Sequence, residues 1–199
     1  MNILLTGGTG LIGRALCKSL RGQGHTLTVY SRNPASVEEK CGTGVHALGS
    51  LDEWREEDHY DAVINLAGEQ IVGKRWGEKR KQELWDSRVT LTEQLVDRIS
   101  RVQRKPEVLI SGSAVGYYGD CGDSEIDEQR QPGDDFGARL CLAWEQAAQK
   151  AEALGVRTCL VRTGLVLSLD GGMLKQMYLP FKVCLGTRFS SGQQWMSWI

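Results

Sequence analysis

The run Gly7-Gly8-Thr9-Gly10-Leu11-Ile12-Gly13 constrains this chain more than any other segment. An apolar stretch at residues 3–5 precedes it, with the pattern of a strand. After it, Leu11, Ile12, Ala15, Leu16 and Leu20 recur at helical spacing, and Gly24 stands where that helix would stop. Strand, glycine-rich turn and helix, in that order, can receive a diphosphate. Gly7 permits the tight turn, Gly10 lets the backbone approach the phosphates, and Gly13 lets helix and strand pack closely. The phosphates then meet free N–H groups at the positive end of the helix. Gly7, Thr9, Gly10, Leu11, Ile12 and Gly13 are therefore candidate cofactor-binding residues.

The rest of the chain continues the alternation. Strands are predicted at residues 27–30, 61–68 (with the exit turn), 108–111 and 158–162, and a helix over 140–154. Trp85, Val89, Thr92, Val96 and Ile99 step by four and three, the stripe of one long amphipathic helix. Long exposed loops are expected around residues 36–50 and 120–136. Short apolar runs alternating with helices predict an α/β fold, a doubly wound parallel sheet of the Rossmann type.

Composition narrows the function classes. A chain of 199 residues is long enough for one sizeable core. The formal net charge of -1 gives no global field for nucleic acid or an anionic membrane. No apolar run approaches the roughly 18 residues of a membrane span. The strand pattern begins at Met1-Asn2-Ile3, which leaves no room for a leader, so a cytoplasmic location is expected. Cysteines 17, 41, 121, 141, 159 and 184 form no C-x-x-C pair and read as reduced thiols used as small hydrophobes; no metal site is expected.

The end of the second strand chooses the dinucleotide. An acidic residue there would accept from a ribose 2′-hydroxyl. Tyr30-Ser31-Arg32-Asn33 has none: Arg32 can stack on adenine and pair with a 2′-phosphate, and Ser31 adds a hydroxyl donor. The expected cofactor is NADP(H).

Further along, Asn65-Leu66-Ala67-Gly68 is similar to the strand exit under the adenine ribose in the extended branch of the short-chain dehydrogenase/reductase superfamily. Ser111-Gly-Ser113-Ala-Val-Gly-Tyr117-Tyr118-Gly119 resembles the serine-to-tyrosine-glycine segment of sugar-nucleotide epimerases. Arg162-Thr-Gly164-Leu-Val166 resembles the loop that cups the nicotinamide. Gly68-Glu69, Lys74-Arg75-Trp76, Ser87-Arg88, Trp144-Glu145, Gly171-Gly172 and Ser191-Gly192-Gln193 give a narrower resemblance to the epimerase-family proteins of short-chain family 39U. The resemblance covers the whole chain. It implies that Leu66, Ala67, Gly68, Gly164 and Val166 join the cofactor site.

The same resemblance implies a catalytic tyrosine with a lysine four residues on, the lysine lowering the phenol pKa from about 10. By position these fall at Gly137 and Cys141, and neither residue can serve. Tyr178-Leu-Pro-Phe-Lys182 has the right spacing, but it follows the sixth strand, and Pro180 is expected to interrupt any helix that would align the two. Ser113, Tyr117 and Tyr118 remain as candidate catalytic groups: Ser113 to hold a substrate oxygen, a tyrosine to act as acid. Packing of the tyrosines under the sheet edge is the alternative. Arg88 either reaches the cofactor or locks the long helix, and Glu83, just over one turn earlier, is a further cofactor candidate. The basic run from Lys74 to Lys81 is either a solvated helix start or a site for an anionic substrate or the cofactor phosphates.

Trp195-Met-Ser-Trp-Ile199 closes the chain on apolar residues, as does nearby Phe189. In family 39U the pair matching Trp198-Ile199 leads into a further region. The expectation is an NADP-binding domain over 1–170 and an incomplete substrate-side segment over 171–199, its end mobile or held by a second copy as a homodimer. The expected function is an NADP(H)-dependent oxidoreductase or epimerase acting on a small polar substrate, anionic if the basic run faces it. The alternative is a non-catalytic NADP(H)-binding sensor or protein-interaction module. Neither nucleic acid nor membrane is an expected partner.

Overall fold

Alternation along the strands sets the architecture. The computed structural model describes residues 1–186, 188 and 191–199, so Phe189 lies outside the described residues. Strands β1 (Asn2–Thr6), β2 (Thr26–Tyr30), β3 (His46–Leu48), β4 (Ala62–Asn65), β5 (Val108–Ala114) and β6 (Arg157–Thr163) form one sheet in the order β3-β2-β1-β4-β5-β6. Leu5 lies opposite both Val29 and Ile64 in parallel ladders, and β2–β3 and β4–β5 are parallel too. The order reverses between β1 and β4. In doubly wound sheets the ligand crevice opens at the strand ends beside that point.

Helices are α1 (Leu11–Gly22), α2 (Val37–Cys41), α3 (Glu78–Trp85), α4 (Leu91–Arg101), α5 (Phe136–Gln149) and α6 (Gly172–Lys182). Successive strand residues face opposite sides. Leu4, Val63 and Leu109 pack with Trp54, Leu95, Ile99 and Ala148 in one cluster. Ile3, Leu5, Ala62, Ile64 and Val108 pack with Cys17, Leu27, Val29 and Val37 in the other. Burial, and then the neighbouring Cys41, push the Cys17 thiol up to about 12, which suits a cysteine used as a small hydrophobe. Among the described residues no helix is long and apolar enough to cross a membrane.

Two compact units divide the chain: Met1–Gly112 with Ala143–Val161, and Ser113–Leu142 with Arg162–Ile199. The boundary near Asp170 expected from the sequence falls inside the second unit. In that unit Asp135 caps α5 by accepting the Ala138 N–H at 2.8 Å.

Several local expectations need correction. Residues 36–50 are not a plain exposed loop: they hold α2 and β3, with Val37, Cys41 and Val45 buried. Three apolar residues at steps of four are too few to show a period. The long helix is interrupted by a π-helical segment, Asp86–Thr90. Its wider turn brings Leu84 and Val89, five apart, to the core, while Trp85 is only half-buried. Pro180 does not break its helix. It sits in the last turn of α6, where only the bond to the carbonyl of residue 176 is forfeited, and Lys182 Nζ lies 5.8 Å from the exposed Tyr178 ring centre.

The apolar end also differs from expectation. Leu165 N–H donates to Ser197 O at 2.8 Å, Ile199 N–H to Leu165 O at 3.0 Å, and Leu167 N–H to Ile199 O at 3.0 Å. A Cβ on Gly164 would lie 2.6 Å from the Ser197 carbonyl oxygen, so the close approach depends on that glycine. Hydrogen exchange checks the ladder: Leu165 and Leu167 are expected to exchange slowly, and faster once residues 197–199 are deleted. Unchanged exchange after deletion would contradict it.

Candidate functional site

The first unit carries a cleft of about 800 Å³ at the ends of β1, β2 and β4, within the range of small-molecule sites. Its floor is the glycine turn. Gly7 adopts φ 70°, and a Cβ there would lie 2.5 Å from the Leu66 carbonyl oxygen. A Cβ on Gly13 would meet Gly7 O at 2.3 Å and Gly8 Cα at 2.6 Å, so helix α1 is laid directly on its own preceding turn. Gly10 differs: a Cβ there would meet only Gly7 O, at 3.2 Å. The space over Gly10, at the N-terminus of the 12-residue α1, belongs to the cleft. That cradle fits a dinucleotide diphosphate.

Beneath the cleft lies a buried polar knot. Thr6 Oγ1 donates to Asn65 Oδ1 at 2.6 Å, and Asn65 Nδ2 donates to Thr92 Oγ1 at 2.8 Å and to Ser111 Oγ at 3.2 Å. Trp144 Nε1 donates to the same Thr92 oxygen at 3.0 Å. Thr6 Oγ1 in turn accepts the Ala67 N–H at 3.1 Å. The exit Leu66-Ala67-Gly68 is therefore tied to the sheet through side chains, not only through strand pairing.

Ser31 and Arg32 line the cleft mouth at the end of β2. Ser31 Oγ is engaged in a local turn with the backbone of Asn33, while the Arg32 side chain is 83% exposed and pairs with Glu69 at 2.8 Å. Glu69 also approaches Arg80 at 3.4 Å, and Arg80 pairs with Glu83 at 2.7 Å and donates to the Gln70 carbonyl. Arg80 is only 7% exposed. The hydrogen bond from Arg32 holds the Glu69 carboxyl below the usual carboxylate range, against the opposing effect of burial. Arg80 does the same for Glu83. Because both folded pKa values are lowered, this network stabilises the fold at neutral pH, and that contribution is lost as pH falls through them.

The π-helical segment grips Glu69 by its backbone: Ser87 Oγ accepts its N–H at 3.0 Å, and Arg88 Nη2 donates to its carbonyl at 2.8 Å. Arg88 is buried, lies 5.4 Å from the Trp144 ring centre, and crosses so close to Gly68 that a Cβ there would be 2.8 Å from its Cζ. Arg88 does not line the cleft, whereas Glu83 does. The basic run divides: Lys74 and Arg80 line the cleft, and Arg75 and Lys79 are exposed. Gly7, Thr9, Gly10, Ser31, Arg32, Leu66, Ala67, Gly68 and Glu83 thus meet around one cleft. Leu11, Ile12 and Gly13 form the helix start beside it. The sequence marks Glu69 only within the 39U resemblance and Arg80 only as one cation of the run from Lys74 to Lys81; their pairing comes from the fold.

The second unit holds Ser113, Tyr117, Tyr118, Gly164 and Val166. Ser113 and Tyr117 are buried. Arg162 Cζ lies 3.6 Å from the Tyr117 ring centre, and its Nη1 donates to Tyr118 Oη at 3.0 Å and to the Glu128 carbonyl at 3.1 Å. The two tyrosine rings meet edge-on at 5.3 Å. Arg162 is the member of this cluster that the sequence pattern marks only as part of a motif, with no role of its own. Gly164 and Val166 lie in the segment bordering the ladder with residues 197–199. Gly137 and Cys141 occupy the first turns of α5.

A parallel sheet of this order with a glycine cradle at its switch point defines a dinucleotide-binding protein of the doubly wound class. More narrowly, the chain belongs to the NAD dependent epimerase/dehydratase family, whose family model matches residues 3–199. It is 43% identical over 198 residues to the epimerase family protein Mb2239 of Mycobacterium bovis, covering 99% of this chain and 64% of that protein. Against the Arabidopsis thaliana epimerase family protein SDR39U1 homolog, chloroplastic, identity is 39%, with 100% of this chain and 58% of that protein covered. The human epimerase family protein SDR39U1 (isoform 2), solved with NADPH, superposes with a TM-score of 0.87 at 36% identity, covering 100% of this chain and 65% of that one. The 39U resemblance is thereby matched in both sequence and structure. The chain spans under two thirds of the length of these relatives.

Proposed function

We propose that the cleft binds NADP(H) and that the protein is an oxidoreductase or epimerase acting on a small polar substrate. The observation that carries this reading is Arg32 at the end of β2, on the cleft rim, where an NAD site would place a carboxylate. The NADPH in the human SDR39U1 structure supports it. The α1 N-terminus over Gly10 takes the diphosphate, Arg32 pairs with the 2′-phosphate, and the Leu66-Ala67-Gly68 backbone supports the adenine ribose. Arg88 fixes that exit by holding Glu69, so its contribution to binding runs through the loop. When bound, the nicotinamide supplies the hydride donor or acceptor. Tyr118 accepts a hydrogen bond from Arg162 and keeps its own hydroxyl proton to give, which suits a general acid, and Ser113 can hold a substrate oxygen.

NADPH is expected to bind at least about tenfold tighter than NADH in fluorescence titration. Arg32→Ala is expected to erase most of the difference, since a charge-assisted pair contributes about 1.5–3 kcal/mol. Equal affinities in the unmutated protein would overturn the reading. Gly137 and Cys141, where a tyrosine–lysine pair would stand, are the one observation favouring a non-catalytic binder. Substrate-dependent oxidation of NADPH, followed by absorbance across a metabolite library, would dismiss that second reading.

A further inference from the structure

We infer that Glu69 competes with the cofactor's 2′-phosphate for Arg32, and so limits how far the cleft prefers NADP(H) over NAD(H). The inference rests on the cofactor reading above. It starts from where Glu69 is held. Both backbone polar groups of Glu69 are engaged, the N–H by Ser87 Oγ and the carbonyl by Arg88 Nη2. The residue cannot retreat by moving its loop; only its side chain can turn.

That side chain bridges two guanidinium groups of different character. Oε1 lies 2.8 Å from Arg32, which is 83% exposed, and Oε2 lies 3.4 Å from Arg80, which is 7% exposed. Arg80 is anchored independently by Glu83 and by the Gln70 carbonyl, so it is a fixed cation. Arg32 is a swinging one, and Glu69 holds it across the mouth of the cleft. A carboxylate and a phosphate are both acceptors only, and each needs the same fork of N–H groups. A 2′-phosphate arriving at Arg32 must displace Glu69 Oε1 and then sit beside its negative charge. NADH, with a hydroxyl at that position, needs no such displacement. Glu69 keeps Arg80 when it yields Arg32, so the exchange is graded and does not close the site. The lowered Glu69 pKa means that the competitor stays charged at neutral pH.

The test is the ratio of NADH to NADPH dissociation constants, measured by titration at low salt for the unmutated protein, Glu69→Gln and Arg32→Ala. Glutamine preserves the shape and removes the charge, so the ratio is expected to rise roughly three- to fivefold, in the range of a partly exposed ion pair. The rise is expected to shrink at high salt. Glu69→Asp withdraws the carboxylate from Arg32 by one methylene and is expected to move the ratio the same way, which covers a misfolded glutamine variant. A ratio that stays level or falls in the variant that folds would overturn the inference, a fall meaning that Glu69 orients Arg32 for the phosphate. Failure of the cofactor reading shows elsewhere. If Arg32→Ala leaves the ratio unmoved, the 2′-phosphate is bound at another place and both ideas go. If Arg32→Ala collapses the ratio while the Glu69 variants do not raise it, only the competition is lost.

Discussion

Gly10→Val is expected to abolish NADPH binding while leaving the fold intact, and Gly13→Val to remove the fold itself. The two glycines are three residues apart in one turn, yet their surroundings differ in kind. At Gly10 an added Cβ meets a single backbone oxygen at 3.2 Å, a contact that a few tenths of an ångström relieve, and the branched side chain then fills the volume over the helix N-terminus. Loss of that anion seat is expected to weaken NADPH on the order of a hundredfold or more, about 2.7 kcal/mol. The thermal midpoint is expected to shift by only a few degrees. At Gly13 the Cβ would lie 2.3 Å from one backbone atom and 2.6 Å from another, in a segment with no flexible side chain to give way. Helix α1 would have to lift off β1 and the turn. Thermal melts with NADPH titrations separate the cases. Normal binding by Gly10→Val would place the diphosphate elsewhere, and a native melt for Gly13→Val would show that the helix can shift.

The second large effect is expected at Asn65. Its side chain is 1% exposed and serves Thr6, Thr92 and Ser111 at once. Asn65→Ala leaves three buried hydroxyls to find new partners, each lost partnership costing about 1–3 kcal/mol where no substitute exists. A total of about 3–4 kcal/mol is expected in urea denaturation. Asn65→Asp is expected to be at least as damaging, because it puts an unpaired carboxylate in the same pocket. NADPH binding should weaken as well, since Thr6 loses the partner that aims its oxygen at the Ala67 N–H. A loss under about 1 kcal/mol would mean that water or a rotated hydroxyl repairs the knot.

What was legible in the sequence follows from the range of the forces involved. The glycine turn, every strand but β3 and the end of β2 depend on neighbours within a few residues, so pattern and spacing reveal them. Arg80 was hidden inside a run of cations that reads either as a solvated helix start or as an anion site, because its burial depends on Glu69, eleven positions away, and on Glu83. Glu69 was hidden for the same reason: its partner Arg32 leaves a different strand, and only the sheet order brings the ends of β2 and β4 to one cleft. The α2 and β3 elements escaped notice because so few residues in them face the core. Arg162 stood in a segment read for its glycine, and its tyrosine partners lie more than forty residues earlier in the chain.

The π-helical segment between α3 and α4 has one more implication. A π turn holds one residue beyond an α turn, so the two helices run in different phases about a shared axis. Rewinding Asp86–Thr90 as plain α-helix with every residue kept would fuse them into a single regular α-helix, with little change in the number of backbone bonds. The α4 side would stay in register with Leu4, Val63 and Leu109, but the Glu78–Trp85 arm would turn by about 100°. That rotation would carry Arg80 and Glu83 out of the cleft. The spare residue therefore works as a phase joint, which lets one helix obey the core along one half and the ligand along the other.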